Sequence, residues 1–536
     1  MSRYNTKAKE TVQTVTNHQG GVGVKYDPKI ELVGILATGF DNNFYEKIGE
    51  REQRFSDLIK EIAKKDLEFV AKALVYTRSV TGQRSVTHFG SVALAQHLSG
   101  SPIGKKFFTK RLRNKNAGGV VYRLDDMLEI VALYQHLNPG KALPNSMKKG
   151  FKAALESADS YELAKYQGKG KAVSLVDLVN LVHPKPVGDM VGAFKSLMTG
   201  TLKQFDTVED KNTSAGQAVA KKVKSGEISK AQAEVELKAA KTENYKDLII
   251  NEKIGYLALL RNVRNILGTA NDQDLIKKTC ELLSNKDFIR KSLVFPFQID
   301  LALEVILTET SASPARNQIV TALNTAYELS IPNMAEMGLF GRTAVVIDTS
   351  GSMSSRIKLV NKNQGSASAL DKAGLVAATF AKGLSADVYE FSDSCKKVNG
   401  VNFLDSTNTI KNQILRQGSN GGTDFNSIFT ALSQNGTAYD RVFIISDMQG
   451  RDSLINGTSG SWGRSYPSTN TYNEYTKKFG QPHVYMVDMC GYGTTMIKPG
   501  NKVYQLFGYS SEMFELARKM EIDPKAIIKE IEAIVI

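Results

Sequence analysis

The sequence predicts two parts of different fold class, an array of helices followed by an α/β domain. Apolar residues recur at helical spacing through residues 1–340, whereas short apolar runs alternate with helical segments from residue 341 onward. A chain of 536 residues is also long enough to bury more than one core. We therefore assign residues 1–340 to an all-helical module and residues 341–536 to an α/β domain.

The first part begins with a Gly- and Asn-rich stretch, residues 1–50, which we expect to be an arm leading into the first helix. Ser56 is a candidate N-cap for a helix with apolar residues from Leu58 to Leu74. Further helical patterns cover residues 85–98, 122–137, 146–158, 174–181, 245–267, 272–283 and 298–307. Many consecutive helices with short breaks are typical of a HEAT-like array.

Two polar stretches interrupt these patterns. Residues 206–241 are rich in Lys, Ala and Glu, and we expect a solvated helical excursion or a flexible insertion there. Residues 358–369 form a second polar insertion, which lengthens the loop after the first strand of the α/β domain. Neither stretch matches a motif, although Lys221, Lys222 and Lys224 leave contact with RNA open as an alternative for the first.

In the second part, strands and helices alternate. Predicted strands are 344–347, 388–391, 441–446, 484–487 and 503–506, and predicted helices are 370–384, 426–433, 511–520 and 523–533. This alternation indicates a mostly parallel sheet with helices on both faces.

Oxygen-bearing side chains follow three of these segments. Asp348, Ser350 and Ser352 come directly after the first strand, Thr423 lies in a Gly-rich loop before a helix, and Asp447 ends the third strand. Ligands of an open α/β sheet bind outside the carboxyl ends of its strands. Carboxylate and hydroxyl oxygens suit a hard divalent cation, so we expect a metal site here, with Mg²⁺ as the ion.

Asp424, next to Thr423, is ambiguous. It could ligate the ion through water or hydrogen-bond the loop, and we favour the structural role.

Basic charge is concentrated in the helical part. The chain has a net charge of +14, and residues 1–340 hold 48 of its 69 Lys and Arg but 37 of its 55 Asp and Glu. Residues 101–150 alone contain 10 basic and 3 acidic side chains. A basic surplus in one domain favours a polyanion, with nucleic acid as the first candidate, although a solubility charge remains an alternative.

The three cysteines, Cys280, Cys395 and Cys490, are too widely spaced for a disulfide framework or a zinc cluster. The first residues do not resemble a signal peptide, and no apolar run is long enough to cross a membrane. We therefore expect a soluble cytoplasmic protein without membrane association.

The Asp348-x-Ser350-x-Ser352 set, with Thr423 and Asp447, resembles the metal-ion-dependent adhesion site (MIDAS) of von Willebrand factor A domains. A basic helical module followed by such a domain resembles the Ro autoantigen family, whose helical part is called the TROVE module. Residues 169–186, KGKAVSLVDLVNLVHPKP, residues 257–264 and residues 84–88 resemble segments of that family.

The resemblance implies a bacterial or phage Ro-like protein with a HEAT-like helical ring whose ends are joined by the A domain. The 3′ ends of misfolded or structured non-coding RNAs would enter the basic hole, and Y-like RNA would bind the outer surface. The implied role is in RNA quality control, maturation or decay. Polynucleotide phosphorylase or another 3′-exonuclease is the implied protein partner, and we expect a monomer.

Candidate RNA-binding residues follow from charge, because Lys and Arg neutralise phosphates with little reading of sequence. The candidates, each of which could instead be a solvated surface residue, are Lys165, Lys169, Lys171, His183, Lys185, Arg84, His88, Lys110, Arg111, Arg113, Lys115, Arg123, Arg261 and Arg264. For His183, which precedes Pro184, a packed position at a helix end is a further alternative.

The sequence contains no HExxH, GxSxG or P-loop motif, so we predict that the protein is not an enzyme. Two alternatives remain. One is a metal-dependent protein-adhesion or assembly module on a helical solenoid, and the other is a nuclease that uses Asp348 and Asp447.

Overall fold

A computed structural model of the chain describes most of its residues. They are residues 14–17, 20–38, 48–97, 101–114, 118–168, 170–202, 216, 218–219, 222–268, 272–292, 294–332, 339, 341–354, 368–416, 421–450, 458–461, 464–467, 470–490, 492–497, 500, 502–507 and 512–536.

The chain divides into two compact units, and each unit takes residues from both halves of the sequence. The helical unit contains residues 48–330 and 528–536, and the sheet unit contains residues 1–47 and 331–527. The structure therefore differs from the predicted single boundary near residue 340 at both ends of the chain.

The residues predicted to form an arm contain regular structure that belongs to the sheet unit. They form strands β1 (Thr14–Thr16) and β2 (Val22–Lys25) and helix α1 (Pro28–Thr38). Strand β2 pairs antiparallel with β1 and with the short strand β10 (Thr494–Thr495). Because β10 lies far along the sequence, local patterns in residues 1–50 could not indicate this pairing.

Side chains fasten the same segment to the sheet unit. The Asn17 amide donates to the backbone oxygen of Gly450 at 2.6 Å, and the Tyr26 hydroxyl donates to the buried carboxylate of Asp488 at 3.0 Å. Tyr26 is itself 2% exposed, so the segment contributes to the core of the unit.

The helical unit is built from consecutive helices, as predicted. These are α2 (Ile48–Tyr76), α3 (Ser85–Ala95), α4 (Pro102–Lys106), α5 (Leu124–Leu137), α6 (Asn145–Glu156), α7 (Ser160–Lys165), α8 (Leu175–Val182), α9 (Met190–Thr199), α10 (Lys230–Ile250), α11 (Tyr256–Gly268), α12 (Gln273–Leu283), α13 (Lys286–Lys291), α14 (Pro296–Glu309) and α15 (Pro314–Ser330).

Two predictions in this unit are wrong in detail. Helix α2 starts at Ile48, so Ser56 lies inside it and does not cap it. The single helix predicted over residues 245–267 is broken between α10 and α11, where Glu252 has a positive φ of 53°. A non-glycine residue in this left-handed conformation cannot continue a right-handed helix. The predicted insertion overlaps the start of α10, whereas residues 203–215 lie outside the described residues.

The sheet unit contains a six-stranded sheet in the order β11-β9-β6-β3-β4-β5. Its strands are β3 (Thr343–Asp348), β4 (Asp387–Phe391), β5 (Cys395–Lys397), β6 (Arg441–Ser446), β9 (His483–Asp488) and β11 (Val503–Phe507). All neighbouring strands are parallel except β5, which pairs antiparallel with β4 at the edge. Strands β7 (Thr458–Ser461) and β8 (Arg464–Pro467) form a separate antiparallel pair.

The central strands β3 and β6 are buried at all six positions. Burial on both faces explains why they appear in the sequence as continuous apolar runs without alternation. The helices of this part are α16 (Ala369–Leu384), α17 (Thr407–Arg416), α18 (Phe425–Gln434), α19 (Thr471–Phe479), α20 (Glu512–Ile522) and α21 (Ala526–Glu532). The polar insertion predicted at 358–369 lies outside the described residues up to residue 367.

The last helix, α21, ends in the helical unit, where its residues bond to α2. Tyr76 donates its hydroxyl to the Glu530 carboxylate at 2.7 Å, and Lys72 donates to the backbone oxygen of Glu532 at 2.8 Å.

Cys280, Cys395 and Cys490 form no disulfide among the described residues. No helix among the described residues is long and apolar enough to cross a membrane.

Gly34 tests whether the first residues are part of the sheet unit. A methyl group on Gly34 of α1 would overlap the ring of Phe507 on β11. We expect Gly34→Ala to lower the free energy of unfolding by about 1–3 kcal/mol through overpacking, measured by urea unfolding.

Gly192→Ala in α9 is the matched control, because nothing lies within 4 Å of the added methyl group. It should be neutral or stabilise the protein by about 0.5–1 kcal/mol through helix propensity. Equal effects of the two substitutions would contradict the packing of α1 against β11.

Candidate functional site

The first candidate site lies where β3 and β6 end, at the carboxyl edge of the sheet. The two strands are parallel neighbours, and Ile347 pairs with Ile445, so the next residues, Asp348 and Ser446, also lie side by side. Ser446 donates its hydroxyl to one oxygen of Asp348 at 2.6 Å, and the Ser350 backbone N–H donates to the other at 2.8 Å. Asp348 is fully buried, and these two bonds fix its orientation.

Asp447 places a second buried carboxylate beside the first. Burial raises the pKa of Asp348, and the charge of Asp447 raises it further, although bonds from Ser350 and Ser446 act in the opposite direction. Two carboxylates in one water-excluded site repel each other, and a bound cation would relieve that repulsion.

The backbone beside Asp447 is in an unusual conformation. Met448 has a positive φ of 57°, and its N–H is bonded to the Ser446 hydroxyl at 3.0 Å. The N–H of Gln449 donates to the Asp447 carboxylate at 3.1 Å. Strained non-glycine residues often occur at functional sites, and here the left-handed residue directly follows Asp447.

The Gly-rich loop that contains Thr423 packs against the loop after β3. The Gly351 N–H donates to the Gly421 oxygen at 3.3 Å, and the Gly422 N–H donates to the Asp393 carboxylate at 2.9 Å. Asp424 caps α18 by accepting from the Asn426 N–H at 2.8 Å. The structural role predicted for Asp424 is thus confirmed.

The oxygen atoms at this edge fit a hard cation. The Thr423 hydroxyl is buried and has no hydrogen-bond partner among the described residues. The hydroxyls of Ser350 and Ser352 lie 3.1 Å apart. A buried hydroxyl without a partner is costly, and the loop that carries it packs against the loop that follows Asp348. No group of three or more His, Cys, Asp or Glu side chains is placed to hold a metal in the described part of the chain.

Two residues of this edge were not among the predicted metal ligands. Ser446 orients Asp348, and Asp393 holds the Gly-rich loop. Ser446 precedes Asp447 in the sequence, which is a usable signal, whereas no sequence pattern connects Asp393 to residues 421–424.

The second candidate site is a charged cluster at the first turn of α5, in the helical unit. The fully buried Asp126 accepts from Arg84 Nε at 2.5 Å and Arg78 at 3.3 Å. It also accepts from the backbone N–H groups of Tyr122 at 2.9 Å and Arg123 at 3.1 Å. This single carboxylate therefore ties the loop before α5 to the ends of α2 and α3.

Asp125 extends the cluster outward. It accepts from Arg84 at 2.9 Å and from two nitrogens of Arg123 at 2.9 and 2.6 Å. Burial alone would raise the pKa of Asp126. The electrostatic interaction with His88, the two backbone N–H groups and Arg84 outweigh burial and hold the pKa of Asp126 below its usual value.

The structure separates the candidate RNA-binding residues by exposure. Those with exposed side chains are Lys110, Arg123, Lys171, His183, Lys185, Arg261 and Arg264, and those partly buried are Arg84, Arg111 and Lys165. Lys115 and Lys169 lie outside the described residues. Arg264 forms an ion pair with Glu309, which partly compensates the positive charge that would attract a phosphate.

His88 and Arg113 do not fit the predicted contact with RNA. His88 is 1% exposed, and its ring nitrogens lie 3.2 Å from Glu129 and 3.5 Å from Asp126. The Arg113 side chain is 2% exposed, pairs with Glu162 and donates to the Ala154 oxygen at 2.9 Å. Both residues hold helices together, and a ligand at the surface could not touch them.

His183 ends α8 in an exposed, left-handed conformation with a φ of 48°. The alternative of a packed histidine at the helix end is therefore wrong. Two residues later, the backbone N–H of Lys185 donates to the Glu156 carboxylate at 2.7 Å, which fixes the turn and leaves the lysine side chain exposed.

The cluster around Asp126 can be tested by removing one charge. Asp126→Asn leaves Arg78 and Arg84 without their buried counter-charge. We expect the free energy of unfolding to fall by about 2–3 kcal/mol, less than for a fully buried pair because Arg84 is partly exposed.

The destabilisation caused by Asp126→Asn should depend on pH, and the direction of that dependence follows from the pKa of Asp126. Because the pKa of Asp126 is lower in the folded state, its stabilisation is present above its unfolded pKa and is lost as the pH falls through the folded value. The deficit of Asp126→Asn should therefore shrink in acid. Asp177→Asn, in the exposed capping box of α8, is the control, because Asn keeps an oxygen that can accept from the Ser174 N–H, and it should lower stability by less than Asp126→Asn does. A deficit independent of pH would contradict this account.

Comparison with solved structures gives an informative similarity. No protein-family model and no curated protein matches the chain. The fold is similar to that of the Ro (RSR) protein of Deinococcus radiodurans, with a TM-score of 0.62 and 16% sequence identity over 95% of this chain and 100% of that chain.

The PilB minor pilin of Streptococcus sanguinis also matches, at 18% identity over 35% of this chain and 62% of the pilin, but with a TM-score of 0.20. A point mutant of that pilin gives the same TM-score at 19% identity over 36% of this chain and 62% of the mutant. Such scores do not indicate a shared overall fold. The resemblance to Ro proteins is confirmed at the level of the fold, and this chain has the Ro-like combination of a helical array and an α/β domain.

Proposed function

We propose that this protein binds RNA in the manner of a Ro protein. Its helical unit would hold the single-stranded 3′ ends of misfolded or structured non-coding RNAs in a basic ring, and Y-like RNA would bind the outer surface. The process served would be RNA quality control, maturation or decay. The observation that carries the proposal is the set of exposed basic side chains around α5, α7 and α8, in a fold shared with a Ro protein over 95% of the chain.

The charge of these residues suits phosphates without fixing a sequence. Lys171 and Lys185 are exposed on loops flanking α8, and His183 lies between them in the chain. Such contacts give affinity by releasing counterions from the nucleic acid. Binding of many unrelated RNAs through their backbones is consistent with this chemistry.

The edge of the sheet would hold a divalent cation, Mg²⁺, through Asp348, Ser350, Ser352, Thr423 and Asp447. The support is the pair of buried carboxylates and the buried Thr423 hydroxyl without a partner in the described structure. When bound, the ion would supply a positive charge, and a carboxylate of a partner protein could complete its coordination shell. Ser446 and the Ser350 N–H would keep Asp348 oriented toward it.

The function we propose is binding and not catalysis, so the protein would act with an enzyme. A 3′-exonuclease such as polynucleotide phosphorylase is the partner class that fits RNA whose 3′ end is held. We further propose that the protein acts as a monomer in the cytoplasm.

Removing two exposed lysines tests the RNA interface. We expect Lys171→Ala with Lys185→Ala to weaken RNA binding. The slope of log affinity against log salt should become shallower by about 1.4–1.8, because each phosphate contact on RNA contributes about 0.7–0.9. Fluorescence anisotropy with a structured RNA that has a single-stranded 3′ tail measures this slope.

The matched control is Lys477→Ala with Lys478→Ala, which removes two exposed lysines from α19 in the sheet unit. Its slope should equal that of the unchanged protein. Identical slopes for both double variants would refute the assignment of Lys171 and Lys185, and no RNA binding by the unchanged protein would refute the proposed function.

A second experiment tests the cation. Asp348→Asn should weaken Mg²⁺ binding by more than about tenfold, since even the loss of an outer hydrogen-bond partner costs metal sites about 10–100-fold. Isothermal titration calorimetry measures the affinity. Asp424→Asn is the control, because Asn preserves the helix cap and should leave Mg²⁺ binding unchanged. Equal Mg²⁺ affinity in the unchanged protein and Asp348→Asn would rule out the proposed ligand set.

A further inference from the structure

We propose that a row of four side chains, Arg123, Tyr166, Lys165 and Tyr161, is a stacking platform for unpaired nucleobases. We call it the aromatic row. This inference rests on the proposed function, because it assumes that RNA reaches the helical unit. It adds a mode of recognition, the stacking of bases, that charge alone does not supply.

The four side chains are joined by successive contacts. The Arg123 guanidinium lies 4.9 Å from the centre of the Tyr166 ring. The Lys165 ammonium lies 5.7 Å from the same ring and 5.5 Å from the ring of Tyr161. It also donates a hydrogen bond to the Tyr161 hydroxyl at 3.2 Å. Cations and aromatic rings thus alternate from Arg123 to Tyr161, each neighbouring pair within range of a cation–π interaction.

Arg123 is held in position before any ligand arrives. Asp125 accepts from both Nε and one terminal nitrogen of Arg123, at 2.9 and 2.6 Å, so the plane of the guanidinium is fixed. Its side chain is nevertheless 45% exposed. A planar group that is both fixed and exposed can stack on a base without losing much side-chain freedom on binding.

The exposure of the rings distinguishes a platform from a structural contact. Cation–π contacts that only join α7 to the start of α5 would be most effective with both rings buried. Tyr161, however, is 38% exposed, among the more exposed of the large apolar side chains described, and Tyr166 is only partly buried. Exposed aromatic rings beside cations are the usual means by which proteins hold single-stranded nucleic acid.

Phosphate-binding groups lie next along the chain. Tyr166 is followed by a loop in which Gly168 and Gly170 have positive φ values of 67° and 77°, and this loop carries the exposed Lys171. A single-stranded RNA whose bases stack on the aromatic row would therefore have phosphates within the same region of the chain as Lys171. Only unpaired bases can take part, because bases in a duplex are already stacked on each other.

The experiment compares two ligands of the same charge. One is a fluorescently labelled ten-nucleotide single-stranded RNA, and the other has the same backbone but abasic sites at its central positions. We expect Tyr161→Leu with Tyr166→Leu to bind the first ligand about 5- to 150-fold more weakly per ring that stacks. Binding of the abasic ligand, and the salt slope of both ligands, should stay unchanged because no charge is removed.

Tyr161→Phe with Tyr166→Phe is the control, because it keeps both aromatic rings and should retain the affinity of the unchanged protein. Tyr161→Leu alone changes the more exposed ring and covers the case in which the double Leu variant unfolds, as judged by circular dichroism. A 2-aminopurine base within the RNA should be quenched by the unchanged protein and less quenched by the Leu variants.

The outcomes separate the two proposals. If the unchanged protein binds neither ligand, the proposed function fails. If it binds both ligands equally, and Tyr161→Leu changes neither affinity nor quenching, RNA binding stands and the aromatic row is refuted.

Discussion

The parallel pairing of β3 with β6 is the constraint on which the α/β part depends. It brings the ends of two buried strands to the same edge, so that Ser446 bonds to Asp348 at 2.6 Å and Asp447 follows directly. The chain thereby places two carboxylates where water does not reach, which is unfavourable without a compensating positive charge. Three features surround these carboxylates: the strained backbone at Met448, the Gly-rich loop bonded to Asp393 and the capped start of α18. The edge is stable in shape because its polar atoms are bonded one to another, and it leaves the Thr423 hydroxyl without a partner in the described structure.

The helical unit uses buried acid in the opposite way. Asp126 is surrounded by donors, and its charge is satisfied within the chain by Arg78, Arg84 and two backbone N–H groups. Its neighbour Asp125 then fixes Arg84 and Arg123 at the boundary with solvent. One carboxylate stabilises the junction of α2, α3 and α5, and the other presents cations in a defined orientation. Two buried carboxylates thus repel each other in the sheet unit, whereas buried carboxylates in the helical unit hold arginine side chains in place.

Sequence patterns predicted the fold class and most of the elements that surround the candidate sites. The buried strands were recognisable because strands buried on both faces appear as continuous apolar runs, as in Val345, Val346 and Ile347. The predicted metal ligands could be placed together because the carboxyl ends of parallel strands meet at one edge of the sheet, whatever the individual side-chain contacts are. Patterns failed where the deciding interaction was distant in sequence. Nothing near Val24 shows that it pairs with Thr495, and nothing near Asp393 connects it to Gly422. Charge alone also could not tell the buried His88 and Arg113 from exposed residues such as Lys171.

The division of the chain has a consequence for the order of folding. The helical unit is nearly continuous in sequence, since only residues 528–536 join residues 48–330 from elsewhere in the chain. The sheet unit must instead join residues 1–47 to partners more than 400 positions later. Tyr26 and Asp488, which share a hydrogen bond, are 462 residues apart. During synthesis β1 and β2 emerge long before β10 exists. The helices encoded between these strands can form meanwhile from local contacts. Most of the helical unit can therefore form before the sheet unit closes, and a ribosome that stops early releases formed helices together with a β1–β2 pair that lacks β10.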